Sequence, residues 1–163
     1  MNIVKIKCNS SIASMLNGNN DGVIREYLIP EKNTKVKNEL IVLIANKIVN
    51  KGKALISLDA KYKFGFRDVR IELALKEQNK LFLFKFVKNY NKIDKECLKL
   101  DSVIMDLILN HNNISCAGVV ILSNGLVDAG LLNNVKLLLN GKIIFLYPEM
   151  ILNEDKFINL ETV

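Results

Sequence analysis

The chain has 163 residues, half of them hydrophobic, which suits one ordinary domain with a sizeable core and excludes disorder of the whole chain. A formal net charge of +6 with a pI near 9.2 favours a polyanionic partner, nucleic acid above all. Cys8, Cys97 and Cys116 are widely spaced with only His111 beside them, a pattern that suggests neither a disulfide framework nor a zinc site and fits a reducing, cytoplasmic setting. Lys5 and Lys7 break the N-terminal segment that a signal peptide would need, and the longest apolar runs are too short to span a bilayer, so no membrane partner is expected.

Residues Asn2 to Cys8 alternate as a short strand, and Ser10 or Ser11 is placed to cap a brief helix through Leu16. After the turn-rich segment 17–22, Gly22 to Ile29 reads as a second strand stopped by Pro30. From Lys37 to Asn50, Leu40, Ile41, Ile44, Ala45, Ile48 and Val49 recur at helical spacing, with Gly52 where a C-terminal cap belongs. Three strands follow, Ala54 to Lys63, Asp68 to Leu75 and Lys80 to Lys88, joined so briefly that they must form an antiparallel meander. Lys95 to Leu109 is a predicted helix with Asp94 as its N-cap, Cys116 to Ser123 a buried strand, and Asn124-Gly125 a turn. Leu126 to Asn140 reads as a helix ended by Gly141, and Lys142 to Tyr147 as a last strand closed by Pro148. The expected organisation is an extension over residues 1–36 packed on the core, an α/β core over 37–148, and a tail over 149–163 forming a short helix or arm.

The stretch Arg67 to Lys88 concentrates the chemistry. Lys85 stands among Leu81, Phe82, Leu83, Phe84, Phe86 and Val87, and a lysine there is costly to bury without an ionic partner. Asp68 opens the preceding strand, and strand alternation puts Asp68, Arg70 and Glu72 on one face. The bland reading makes Asp68 and Lys85 a partly buried salt bridge, and Phe82, Phe84 and Phe86 core packing on one strand face. No GK[ST] motif, no GxGxxG after a strand and no GxSxG element occurs.

The order helix, three-stranded meander, helix, strand over about Lys37 to Tyr147 resembles the core of the PD-(D/E)xK nuclease superfamily, which includes Holliday-junction resolvases and Mrr-type restriction enzymes. The resemblance implies a restriction-endonuclease-like α/β fold, a mixed central sheet flanked by helices, preceded by the N-terminal extension. In that family an acid at the start of the second strand and an acid-x-lysine on the third hold one or two magnesium ions. Gly65-Phe66-Arg67-Asp68 resembles the first element, Glu39 matches a glutamate on the first helix, and Lys85 or Lys88 falls in the lysine slot. The third strand departs from the pattern, because Leu83 or Phe86 then stands where the carboxylate belongs. Glu72, Asp59 or Glu39 would have to fill that gap.

The resemblance implies that Asp68 and Glu72, with Asp59 or Glu39, would hold Mg2+ for phosphodiester cleavage, with Lys85 stabilising developing charge. Arg67, Arg70, Lys88, Lys61 and Lys63 would neutralise backbone phosphates, of DNA in the first instance, and a homodimer would suit a two-stranded substrate. Three functions stay open at this level: a magnesium-dependent endonuclease, a nuclease-like module that binds DNA or docks a subunit without cutting, and a small-molecule-binding or structural α/β protein.

Overall fold

The structure is a computed structural model that describes residues 2–18, 22–29, 37–49, 54–88, 90–122 and 128–147. The expected Gly52 cap, the Asn124-Gly125 turn, the Pro30 and Pro148 stops and the tail over 149–163 lie outside these residues.

Alternation in the first segments gives an antiparallel hairpin, β1 (Asn2–Cys8) with β2 (Val23–Ile29), joined through the short helix α1 (Ile12–Leu16). Ser11 caps α1 by accepting from the Ser14 N–H, as the sequence suggests. Helix α2 (Lys37–Val49) precedes the meander β3 (Leu55–Phe64), β4 (Arg67–Glu77) and β5 (Lys80–Val87). A 3-10 turn over Tyr90–Lys92 leads into α3 (Ile93–Asn110), followed by β6 (Ser115–Leu122), α4 (Ala129–Leu137) and β7 (Lys142–Leu146).

The second sheet has five strands in the order β3-β4-β5-β6-β7, antiparallel between β3 and β4 and between β4 and β5, parallel from β5 to β7. The fold is therefore mixed α/β, with β4 reversed relative to its companions. Leu40, Ile41, Ile44 and Ala45 of α2 pack with Ile6 and Cys8 of the hairpin on one sheet face, against Leu73, Leu75, Phe82, Phe84, Phe86, Val119 and Ile121. Cys97, Leu100, Val103, Ile104 and Leu107 of α3 cover the other face, against Ile71, Ala74, Leu81, Leu83, Val87 and Val120, with Met15 of α1 and Val135 of α4. The phenylalanine stripe of β5 is core, since all three rings are buried on the α2 side.

Some boundaries differ from the expected ones. Helix α3 starts at Ile93, so Asp94 lies inside its first turn and Lys92 occupies the N-cap. An acid there still favours the helix dipole, which is why the sequence signal misplaced the cap by two residues. Helix α4 is shorter than expected, capped by Asp128 through the Gly130 N–H and ending at Leu137. Gly141 serves a different purpose: its N–H and that of Asn140 donate to the buried carboxylate of Asp101 on α3, at 2.7 and 3.2 Å. Truncation of this charge-assisted acceptor as Asp101→Ala should cost about 2 kcal/mol in denaturant unfolding, with Asp101→Asn losing less.

Candidate functional site at a fork between two strands

Strands β4 and β5 pair only from Leu73–Phe84 to Glu77–Lys80. Beyond Leu73 they part, and β4 continues with β3 alone as a projecting hairpin that turns at Gly65-Phe66. The two-residue loop carries a positive φ of 62° at Gly65, a backbone conformation that favours glycine, and leaves Phe66 fully exposed at the tip.

Two side chains bridge the fork in opposite directions. The Lys85 ammonium of β5 donates to the Arg70 carbonyl of β4 at 2.9 Å, and the Glu72 carboxylate of β4 accepts from the Phe86 N–H of β5 at 3.3 Å. Each thus occupies a backbone group that the parted ladder no longer serves. Both residues are buried, at 6% exposure.

They nevertheless face different sides of the sheet. Strict alternation along β5 puts Lys85 in phase with Leu81, Leu83 and Val87, on the α3 side, where its ammonium lies 3.2 Å from Glu96 of α3. Glu72 opens instead onto the α2 side. The expected bridge from Lys85 to Asp68 is accordingly replaced by one to Glu96 in the first turn of α3, an acid not singled out from the sequence. Lys99 lies 3.5 Å from the other Glu96 oxygen. Burial pushes the Glu96 carboxyl up, but the two lysine charges outweigh it and hold it below the usual glutamate range.

The hairpin changes phase at Asp59 and Glu72. Leu58 and Leu73 pack on the α2 side, whereas Ala60, Tyr62, Val69 and Ile71 pack on the α3 side. Asp59 takes a φ of 55° at this step, a left-handed conformation that aspartate tolerates better than most residues. Beyond the step, the cross-strand pairs Lys61–Arg70 and Lys63–Asp68 share the outward, α2-side face, because directly opposed residues point the same way. All four are exposed. Arg67, opposite Phe64, falls on the other face. Lys88 is exposed just past the end of β5.

A pocket of about 390 Å³ opens at the base of the hairpin on the α2 side, lined by Arg25 and Tyr27 of β2, Ile41 and Val42 of α2, Leu58 and Asp59 of β3, and Arg70 and Glu72 of β4. The buried Ile41, Val42 and Glu72 form its floor, while the exposed Arg25, Asp59 and Arg70 form its mouth. Across the mouth the Arg70 Nε donates to the Asp59 carboxylate at 2.6 Å, and that bond, foremost, pushes the Arg70 guanidinium further up from its ordinary value. Arg25 and Tyr27 were not singled out from the sequence. Their signal is the alternation of β2, which aligns both with the buried Ile6 and partly buried Val4 of β1.

The structure therefore gathers two of the proposed ligands, Asp59 and Glu72, on one pocket, and leaves Asp68 four residues along β4 from Glu72, roughly 13 Å for an extended strand. The side chain of Glu39 lies outside the described residues. Among the described residues, no three His, Cys, Asp or Glu side chains form a group able to hold a metal. Mg2+ demands several oxygens in near-octahedral array, and two carboxylates already engaged by Arg70 and the Phe86 N–H do not meet that demand. Cysteine nucleophiles are also poorly placed: all three thiols are buried, and burial pushes Cys97 and Cys116 up to about 12.

No family model matches the sequence, and no curated protein matches it. Among solved structures the chain is similar to a protein of unknown function, AF1548, at 8% identity and a TM-score of 0.46, covering 77% of this chain and 66% of that one. No helix among the described residues is long and apolar enough to cross a membrane.

Proposed function

We propose that the chain is a nucleic-acid-binding module built on a restriction-endonuclease-like core, one that engages DNA without assembling a phosphodiester-cutting centre. The observation that carries this reading is the exposed row Lys61, Lys63 and Arg70 on one face of a projecting hairpin, beside Arg25 and above a pocket. Cations in such a row track phosphates, and the chain's net charge of +6 adds long-range attraction. The element order helix, meander, helix, strand, helix, strand supports the nuclease-like core.

The absence of cutting follows from chemistry at three places. Lys85, the natural charge stabiliser, is committed to Glu96 on the opposite face of the sheet. The third-strand positions on the pocket side are filled by the buried rings of Phe84 and Phe86, which offer a metal nothing. The acids Asp68 and Glu72 stand too far apart along β4 to share one ion.

The test is incubation with supercoiled, linear, branched and single-stranded DNA in Mg2+ or Mn2+, followed by electrophoresis. The expected result is retarded but intact DNA. Metal-dependent cleavage that disappears in Glu72→Gln would replace this reading with the endonuclease, and no retardation at low salt would remove both.

A further inference from the structure

Resting on the nucleic-acid reading, we infer that Phe66, at the tip of the projecting hairpin, is a base-stacking contact: its ring packs on one unpaired base of a strand whose phosphates lie along Lys61 and Lys63.

Neither turn chemistry nor packing calls for a phenylalanine at this position. Tight turns are filled mainly by Gly, Asn, Asp, Ser and Pro, and Gly65 already supplies the positive φ that this loop needs. The Phe66 side chain is fully exposed, so it contributes no burial to the fold. The space around the turn is open, since a Cβ added at Gly65 would meet no atom within 4 Å. The tip is nevertheless held in place. The β3–β4 ladder runs without a break from Ala60–Ile71 to the closing pair Phe64–Arg67, and the Tyr62 hydroxyl ties the underside of the hairpin to α3 by donating to the Asp106 carboxylate.

The surroundings of the ring select its partner. A protein partner or a lipid surface buries a contiguous apolar patch, whereas Phe66 stands between a glycine and an arginine. One aromatic ring matches the face of one base. From Lys61 to Arg67 the chain carries three cations and no acid, and the next residue, Asp68, lies directly across from Lys63. Lys61 and Lys63 are exposed on one face and lead towards the tip, so a strand tracked by its phosphates along them brings a base to the ring. A paired duplex keeps its base faces inside the stack, which favours a single strand or an unpaired nucleotide as the occupant.

The sequence contains no tryptophan, so Phe66→Trp places a single indole at the contact as its own reporter. Titration with a short oligodeoxythymidine should quench the indole emission, and an equally long strand of abasic tetrahydrofuran residues, which keeps the phosphates and removes the bases, should not. In fluorescence anisotropy, Phe66→Ala should bind the base-bearing strand roughly tenfold more weakly than the unaltered chain, with affinity for the abasic strand and the salt slope unchanged. Both substitutions lie at an exposed tip, and their melting curves should match that of the unaltered chain. Binding of both strands with no quenching in Phe66→Trp and no loss in Phe66→Ala overturns the stacking contact and leaves the nucleic-acid reading standing. Failure of both strands to bind overturns the two together, and a blue-shifted indole emission on phosphatidylserine vesicles would in that case assign the tip to a lipid surface instead.

Discussion

Lys85→Met is expected to lower the unfolding free energy by about 3 kcal/mol, because it strips the partner from a carboxylate held in a largely buried setting. The lysine side chain is 7% exposed and that of Glu96 23%, so solvent screens the pair only partly. Methionine keeps the length and apolar stem, which isolates the loss of charge from the loss of packing. Two further effects set the size. The Arg70 carbonyl loses its donor at the fork, and Lys99 remains beside Glu96 to offset part of the damage, which keeps the figure at the low end for broken buried pairs. For a chain of this size the melting temperature should fall by roughly 6 to 12 °C. Removing both charges as Lys85→Met with Glu96→Leu should cost clearly less than the sum of the two single changes, since an apolar pair can replace a buried ionic one. Strict additivity in that cycle would mean that the pair is not coupled.

The same pair sets an acid limb. Glu96 is held below the ordinary glutamate range in the folded chain, so it contributes stability above its unfolded pKa that is lost as pH falls through the lowered folded value. Melting measured from neutral pH down through the carboxylate range should therefore steepen on the acid side in the unaltered protein. In Lys85→Met that slope should be shallower, because the charge that chiefly lowers Glu96 is gone.

The fold was readable because its signals are local and periodic. The helical spacing of Leu40, Ile41, Ile44 and Ala45 and the alternation in β5 each record a face buried against a neighbour, and short turns left the meander little freedom. The site was less readable because it depends on where the alternation fails. The step at Asp59 and Glu72 shifts the hairpin by one residue relative to the sheet, and nothing in the side-chain pattern announces a left-handed aspartate. The isolated Lys85 was a true signal of an ionic partner, yet its partner lies on a helix eleven residues further on. An acid in a first helical turn looks the same whether it serves the dipole or a buried lysine. Alternation did place Asp68, Arg70 and Glu72 along one side of β4, but it could not show that the fork would draw Glu72 into a pocket with residues of the N-terminal hairpin.

The double variant Lys61→Ala/Lys63→Ala should weaken DNA binding with little change in stability. Both lysines are exposed on the outward face of the hairpin, where substitutions leave folding within about 0.5 kcal/mol. Their contribution to binding is electrostatic and sequence-independent: each lysine set against a phosphate releases condensed counterions. Loss of two such contacts should reduce the slope of log affinity against log salt by about two. Arg67→Ala, on the opposite face of the same hairpin, should change the slope far less. Were Arg67 to matter as much as the lysine pair, attraction would come from overall charge and not from the pocket-side row.

The most direct measurement is anisotropy of a labelled single strand with the unaltered chain and with Lys61→Ala/Lys63→Ala across a salt series containing Mg2+, each sample then run on a denaturing gel. Steep salt dependence in the unaltered chain, a slope reduced by about two in the double variant and a strand of undiminished length throughout are the expected results. Salt-independent binding, equal slopes in the two proteins, or a shortened strand would contradict a module that holds nucleic acid by this hairpin without cutting it.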